Sequence, residues 1–275
     1  MEFTKLSIIM KSSTKPPYFV GSQLRGALGY ALKKVTCINP SFECNDCFAS
    51  QNCLYYEFYE QKNKPHNYRF DFELAKEFYE FDFYLFDSAT QKLPYVISAF
   101  HLMLTQNGLG KEHKIYKEFD IYVNDKNCFI DGQLKLPKDF INTFVIDRIS
   151  TDVCIKFVTP LRIKKDNKLL RNDSIELKDI VNSIYQRQMQ LLGRKFKKFP
   201  YVTEGNIIKK ELKYKELTRH SNRQKTTMNL GGMMGKIIIR DLNTESFNIL
   251  KLGELIGCGK STVFGLGKIK IEEII

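Results

Sequence analysis

A glycine-rich segment near the C-terminus, residues 257–268, constrains the fold of this 275-residue chain more than any other feature. It reads Gly-Cys-Gly-Lys-Ser-Thr-Val-Phe-Gly-Leu-Gly-Lys and lies between an apolar helix-like run and a strand-like run. Glycines allow tight turns that expose backbone N–H groups, and lysine and hydroxyl side chains suit phosphate oxygens. The segment therefore predicts a phosphate-binding turn between a helix and a strand.

The triplet Gly259-Lys260-Ser261 resembles part of a nucleotide-binding P-loop, but the rest of that pattern is missing. A P-loop requires a glycine five positions before the Gly-Lys pair, and this chain has Glu254 there. A P-loop also follows a strand and opens a helix, which is the reverse of the order here. We therefore do not expect this segment to bind ATP or GTP.

Hydrophobic spacing in the second half predicts the element order βαββαβ, which is the ferredoxin-like plan. Ser174 is predicted to cap the first helix of this half, and Gly193 to follow its end. The predicted elements are a strand over 152–158, a helix from 174 to 191, strands around 207–217 and 228–241, a helix that stops at 257, and a strand over 267–273.

The first half follows the same plan more loosely, with strands predicted over 3–10 and 79–85 and helices over 22–35 and 93–104. After its second helix, residues 108–111 repeat the tetrapeptide Gly-Leu-Gly-Lys of residues 265–268. A repeat at the equivalent point supports a duplicated fold. We predict an α+β protein with tandem ferredoxin-like (RRM-like) domains over 1–145 and 150–275.

Composition favours a folded protein with a polyanionic partner. The chain carries a net charge of +12, is 43% hydrophobic and contains 21 Phe and 14 Tyr. A basic, aromatic-rich chain of this kind suits nucleic acid, although a protein can also be basic without such a partner. No secretion signal or membrane-length apolar run is visible, and seven cysteines do not suggest a disulfide framework. We expect a cytoplasmic protein.

Four motifs in order resemble Cas6, the CRISPR precursor-RNA processing endoribonuclease of the RAMP superfamily, in its cysteine-containing branch. They are the first-helix motif 21–29, the cysteine cluster after it, the segment 219–224 followed by 230–235, and the glycine-rich segment 257–268. The resemblance implies two ferredoxin-like domains, binding of precursor crRNA, and metal-independent cleavage that leaves a 2′,3′-cyclic phosphate and a 5′-hydroxyl.

The cysteine cluster suggests a structural zinc site in an insertion over 37–53. Cys44 and Cys47 form a CxxC pair, and Cys37 and Cys53 flank them. Four thiolates complete a tetrahedral zinc shell, which leaves no open position for catalysis. The alternative is four unligated thiols on a loop. We predict zinc as a structural cofactor and no catalytic metal.

RNA cleavage without a metal ion requires a base for the 2′-hydroxyl, an acid for the leaving oxygen, and cations for the phosphate charge. Of the four histidines, His220 is predicted to be catalytic because Arg219 and Arg223 flank it. Stacking of His220 on a base is the alternative. His66 and His113 are expected at the surface, and His101 in the core or at its boundary.

Many Cas6 proteins carry a catalytic histidine on or just after the first helix, and this chain has none there. The helix instead places Tyr30 and Lys34 on one face, one turn after Gly26. We predict that Tyr30 and Lys34 position or protonate oxygens at the scissile phosphate. The alternative is a half-buried tyrosine beside a solvated lysine.

RNA contacts are predicted in the glycine-rich segment, in the segment around His220 and on the first helix. The run 194–199 also interleaves cations with aromatics. The predicted RNA-binding residues are Arg25, Arg219, Asn222, Arg223, Gln224, Lys225, Gly259, Lys260, Ser261, Thr262, Phe264, Gly265, Gly267 and Lys268.

The sequence thus predicts a CRISPR repeat endoribonuclease, a monomer or homodimer that can act with other Cas proteins of an interference complex. Two alternatives stay open at this point. One is a RAMP subunit that binds guide RNA without cutting it, which the missing first-helix histidine favours. The other is a zinc-dependent regulator that binds duplex DNA, for which RNA preference would be unexpected.

Overall fold

The structure, a computed structural model, describes residues 1–12, 14–62, 64–165, 168–195, 197–221 and 226–274. The chain divides into two compact units of mixed α+β structure. The first contains Met1–Phe70 and Ala75–Thr143, and the second contains Asp71–Leu74 and Phe144–Ile275. Within the described ranges, no helix combines the length and apolarity that crossing a membrane requires.

The first unit is built on a sheet in which β1 is central and antiparallel to both β3 and β4. The sheet order is β2-β3-β1-β4-β5, and β8 also pairs with β1. The elements are β1 Glu2–Met10, α1 Gly21–Thr36, β2 Tyr68–Asp71, β3 Glu80–Phe86, α2 Leu93–Leu102, β4 Phe119–Val123, β5 Lys126–Asn127, β6 Phe129–Ile130, β7 Gln133–Leu134 and β8 Asn142–Thr143.

Apolar residues at alternate positions favour the central strand, and apolar residues at helical spacing favour the two helices. Leu6 and Ile8 of β1 are fully buried, because a strand directs every second side chain to the same face. Leu24 and Leu28 of α1 are buried one turn apart. After α2 the chain continues through a single π-helical turn, Met103–Asn107, in which Gly108 N donates to Met103 O at 2.8 Å.

The second unit repeats the order of elements on a sheet with β9 at its centre, antiparallel to β15 and β16. The sheet order is β12-β15-β9-β16, with two small hairpins outside it. The elements are β9 Val153–Leu161, β10 Lys164–Lys165, β11 Lys168–Leu169, α3 Leu177–Leu191, β12 Asn206–Lys215, β13 Thr218–Ser221, β14 Thr226–Asn229, β15 Gly232–Arg240, α4 Thr244–Ile256 and β16 Ile269–Glu273.

The start of α3 differs from the prediction that Ser174 caps it. Glu176 is the N-cap, and a reciprocal capping box joins its side chain and backbone to Asp179. Ser174 instead donates to Asn172 Oδ1 at 2.6 Å. Asp179 decides the outcome, because it bonds the backbone N–H of Glu176 at 3.0 Å and so completes a box that Ser174 does not form. The end of α4 agrees with the prediction, with Gly257 at a φ of +80°.

The segment between β12 and β15 forms a second hairpin that the sequence did not predict. β13 and β14 pair in antiparallel register, with His220 opposite Thr227. The hairpin is closed at its base by Leu230 N donating to Leu217 O at 2.6 Å, and both leucines are buried. This hairpin separates the two predicted long strands and carries Arg219 and His220.

Candidate nucleic-acid interface

The glycine-rich segment 257–268 packs closely against β9 of the same unit. Gly267 N donates to Pro160 O at 3.1 Å, and Thr159 Oγ1 donates to Gly265 O at 2.8 Å. Gly267 has a φ of +72°, and a side chain there would overlap the carbonyl group of Cys258. The glycines therefore fold the segment onto the protein, and Thr262, Gly265 and Gly267 are buried.

The exposed edge of this segment is the part that can meet a ligand. Lys260 is exposed, and its backbone N–H donates to Arg162 O at 2.8 Å, which fixes the turn. Among the described residues, the backbone N–H groups of Ser261 and Val263, which are partly exposed, have no acceptor. Gly259 N is occupied, since it donates to Ser183 Oγ at 3.0 Å. This edge therefore combines an ammonium group with available N–H donors, which suits an anion.

Arg162, which the sequence analysis missed, lies directly beneath this edge. Its Nη1 donates to Gly231 O at 2.5 Å, whereas its Nε is buried and has no hydrogen-bond partner in the described structure. Burial lowers the pKa of Arg162, with Arg171 adding to the decrease. Tyr214 Oη is likewise buried without a partner, and the Arg171 guanidinium lies 5.5 Å from the Tyr214 ring centroid. Unsatisfied buried donors of this kind point to a missing acceptor.

Arg219 and Phe264, two predicted RNA-binding residues far apart in sequence, are brought together. The Arg219 guanidinium lies 4.4 Å from the Phe264 ring centroid, and Arg219 Nη2 lies 3.4 Å from Met228 Sδ. A guanidinium stacked on an aromatic ring presents a flat cationic surface that can stack with a nucleobase.

The neighbourhood of His220 is described only in part. The backbone of His220 lies in β13, and its side chain lies outside what the structure describes. Asn222, Arg223, Gln224 and Lys225 also lie outside the described residues. The roles predicted for these five residues therefore stay predictions.

Lys268 has a partner within the second unit. Its Nζ forms an ion pair with Oδ1 of Asp71, whose side chain is buried. Gly265 lies against the ring of Phe72, where a side chain on the glycine would overlap the ring. The charge of Lys268 is thus balanced in the protein itself, and its contact with RNA stays a prediction.

In the first unit, Tyr30 and Lys34 share one exposed face of α1, as helical spacing requires. Lys34 Nζ lies 4.8 Å from the Tyr30 ring centroid and donates to Asn107 Oδ1 at 3.1 Å. The Tyr30 side chain is prominently exposed, at 58%. Tyr30 is therefore not the half-buried residue of the alternative, and Lys34 has a defined partner.

Arg25 packs among tyrosines of the first unit. Its Nε donates to Tyr68 Oη at 3.1 Å, and its guanidinium lies 4.5 Å from the ring centroid of Tyr59. Tyr59 Oη in turn donates to Arg25 O at 2.8 Å. These contacts give Arg25 a packing role, and its predicted contact with RNA stays a prediction.

The four clustered cysteines follow α1 on one loop and are free, half-exposed thiols. Cys37 Sγ donates to Asn39 O at 3.6 Å, and Asn39 Nδ2 donates to Cys47 Sγ at 3.7 Å. Burial raises the pKa of Cys44, against the opposing effect of Lys33. Among the described residues, no three Cys, His, Asp or Glu side chains are grouped as a metal site. The thiols of Cys37, Cys44, Cys47 and Cys53 as they lie do not form a zinc shell, and zinc stays a prediction.

Comparison with known families and solved structures shows which proteins this chain resembles. Residues 155–269 match the family of CRISPR-associated endoribonuclease Cas6, and residues 2–127 match a family described as an N-terminal domain. A Thermus thermophilus Cas6 product complex is similar over 99% of this chain and 100% of its own, with a TM-score of 0.57 and 12% identity. No curated relative matches the sequence.

Two further solved structures have the same coverage, 99% of this chain and 100% of their own. A second Cas6 product complex has a TM-score of 0.56 and 14% identity, and an RAMP protein binding different RNA substrates has a TM-score of 0.52 and 12% identity. The chain thus has the mixed α+β fold of these solved structures. The resemblance to Cas6 predicted from the sequence is confirmed by the match of residues 155–269 to the Cas6 family.

Proposed function

We propose that this protein is a CRISPR repeat-RNA endoribonuclease, built from two ferredoxin-like domains, that cleaves precursor crRNA without a metal ion. The match of residues 155–269 to the Cas6 family carries the proposal. The RNA complexes of similarly folded Cas6 and RAMP proteins, together with the net charge of +12, support RNA as the ligand.

The second unit supplies groups that suit binding of the RNA backbone and bases. Lys260 and the available N–H donors beside it fit phosphate oxygens. The Arg219–Phe264 pair fits a stacked base. These contacts hold single-stranded RNA through its charge and its stacking surfaces.

The cleavage step involves two proton transfers and exchanges one bond at phosphorus. The 2′-oxygen forms a bond to the adjacent phosphorus while the bond from phosphorus to the 5′-oxygen breaks. A base accepts the proton of the 2′-hydroxyl, an acid gives a proton to the 5′-oxygen, and cations balance the charge on the phosphate. The predicted groups are Tyr30, Lys34 and His220, with Lys34 as the cation.

End-labelled repeat RNA incubated with the purified protein in EDTA tests the proposal. We expect one dominant cut that leaves a 2′,3′-cyclic phosphate and a 5′-hydroxyl. RNA with a single 2′-deoxynucleotide before the cut should stay intact, because it lacks the attacking oxygen. Cleavage of that control at the same bond would contradict attack by the 2′-hydroxyl.

A second candidate is a RAMP subunit that binds guide RNA without cutting it. The absence of histidine from α1, where many Cas6 proteins carry it, favours this candidate. Tight binding with intact RNA in the same assay would support it.

Our main proposal, the endoribonuclease, also includes a cytoplasmic location. It further includes a monomeric or homodimeric state and association with other Cas proteins.

A further inference from the structure

We infer that His113 is a catalytic acid–base residue that acts in one centre with Tyr30 and Lys34. The inference rests on the proposed function, because it assigns the base of the proposed cleavage step to His113 in place of His220. The polar, lysine-rich stretch around His113 predicts only a surface position for it. The structure places it 3.0 Å, through its Nδ1, from the backbone oxygen of Asn107, the residue that also holds Lys34.

A tight backbone hairpin presents His113. Leu109 N donates to Lys114 O at 2.8 Å, and Lys114 N donates back to Leu109 O at 3.0 Å. Gly108 has a φ of +72°, and any side chain there would overlap the backbone carbonyl of His113. His113 itself has a φ of +49°, a left-handed conformation that is uncommon for residues other than glycine. Strained conformations of this kind persist where the surrounding structure enforces them, often at functional sites.

Asn107 forms hydrogen bonds with two of the proposed catalytic residues, Lys34 and His113. It is 8% exposed, and it offers two oxygens to two different partners. Its backbone oxygen meets His113 Nδ1, and its side-chain Oδ1 accepts a hydrogen bond from Lys34 Nζ. Lys34 also lies over the Tyr30 ring, so Asn107 contacts Lys34 and His113 directly and is linked to Tyr30 through Lys34. Tyr30, Lys34 and His113 are all exposed to solvent, where RNA can reach them.

The hydrogen bond to Asn107 fixes the state of the His113 ring. A carbonyl oxygen only accepts hydrogen bonds, so Nδ1 carries the proton and donates it. In the neutral ring, Nε2 then presents a lone pair, which is the form that a general base requires. This is the logic by which an orienting acceptor prepares a catalytic histidine.

The same corner contains a donor without an acceptor. Asn107 Nδ2 is buried and makes no hydrogen bond within the described structure. Buried amide donors are normally satisfied, so this one needs an acceptor from outside the protein, such as ordered water.

The proton balance follows directly from this arrangement. His113 Nε2 takes the proton of the 2′-hydroxyl as the 2′-oxygen bonds to phosphorus. The Lys34 ammonium balances the added charge on the phosphate, and the Tyr30 hydroxyl gives its proton to the departing 5′-oxygen. Proton exchange with water then returns the proton from the imidazolium ring to the tyrosinate.

The test is single-turnover cleavage by His113→Asn. Asparagine tolerates the left-handed backbone but has no acid–base function at neutral pH, so the substitution spares the hairpin. We expect the cleavage rate to fall by about 100-fold or more, with RNA affinity within about threefold of wild type. Glu112→Ala, at the neighbouring exposed position, is the matched control and should cleave at the wild-type rate.

A second variant, His113→Gly, keeps the test valid if the first folds poorly. Glycine relieves the positive φ and leaves space for added imidazole, which should restore part of the cleavage. If both folded variants cleave within threefold of wild type, the inference is overturned and the proposed function stands. If the wild-type protein does not cleave repeat RNA at all, the proposed function fails and the inference fails with it.

A modified substrate separates the role of base from that of acid. RNA with sulfur in place of the scissile 5′-oxygen has a leaving group that needs no acid. His113→Asn should stay slow on this substrate if His113 is the base. A restored rate would overturn the assignment as base.

Discussion

The tetrapeptide Gly-Leu-Gly-Lys occurs once in each unit, at 108–111 and at 265–268, and the glycines of both copies have positive φ angles. The two glycines have φ values of +72° and +78° in the first copy and +77° and +72° in the second. The leucine between them is 2% exposed in the first copy and fully buried in the second. The backbones still differ, because ψ is 171° at Gly108 and 11° at Gly265. The four residues thus specify a buried leucine and glycines with positive φ, but not one turn.

The neighbours of the two copies differ, and they determine what each turn presents. The first copy follows a helix end directly and closes the hairpin that presents His113. The second ends a longer segment packed on β9, and its lysine pairs with the buried Asp71. The lysine of the first copy, Lys111, is exposed. A repeated motif therefore predicts a buried leucine between glycines with positive φ, but neither one turn nor one function.

The largest effect should separate the third residues of the two copies. In Gly267→Ala the new methyl overlaps the carbonyl of Cys258, whereas in Gly110→Ala it meets only the flexible end of Gln23, at 3.0 Å. We expect Gly267→Ala to lower the unfolding free energy by more than ~3 kcal/mol, and Gly110→Ala by about 1 kcal/mol for its left-handed backbone alone. Urea unfolding measures both, and equal losses would contradict the difference in packing.

An intermediate effect should separate the two lysines. Lys268→Met removes the ammonium group beside the buried carboxylate of Asp71 and should lower the unfolding free energy by about 2 kcal/mol. Lys111→Met, at the exposed counterpart, should stay within about 0.5 kcal/mol of wild type. Combining Lys268→Met with Asp71→Asn should recover part of the loss. Failure to recover any would show that the charge pair is not the cause.

A smaller effect is expected on RNA binding from the exposed edge of the second copy's segment. Lys260→Ala should weaken binding and reduce the slope of log affinity against log salt by about 0.7, one phosphate contact on single-stranded RNA. Lys111→Ala is the matched control and should leave the slope unchanged. A slope unaltered by Lys260→Ala would count against this edge as a phosphate site.

The smallest expected effect concerns the cysteine loop after α1, which has no counterpart in the second unit. Metal analysis of untagged protein should find about one zinc per chain if the four thiolates close a shell. Cys44→Ser should abolish that zinc with little change in RNA cleavage, because a closed shell has no catalytic position. Protein that contains no zinc and keeps its stability would identify these residues as ordinary free thiols.

Much of the fold could be predicted because local patterns produce it. Alternation in residues 3–10 anticipated β1, Glu2–Met10, and helical spacing anticipated α1, Gly21–Thr36. The hairpin of β13 and β14 was missed because its strands are short and polar, without the alternation of a half-buried strand. The cap of α3 was misplaced because two polar residues competed for it, and only the structure shows that Asp179 favours Glu176.

In the candidate sites too, local contacts could be predicted from the sequence, whereas tertiary contacts could not. Tyr30 and Lys34 lie four residues apart on one helix, so their pairing follows from helical geometry. Lys34 and Asn107 are 73 residues apart, and no local pattern indicates that they meet. Arg162 was missed for a similar reason, since its unsatisfied Nε follows from packing in the folded unit. Sequence periodicity predicts faces of elements, whereas tertiary contacts decide which faces meet.

The π-helical turn at the end of α2 carries one more residue than an α-helical turn would. This extra residue frees the backbone oxygen of Leu104, which accepts a hydrogen bond from Tyr116 N at 2.8 Å and so ties the returning chain to the helix. Deleting one residue between Met103 and Asn107 would shift every later position by about 100° around the helix axis. Asn107 would then turn away from both Lys34 and His113, so the length of this turn sets the alignment of the proposed centre.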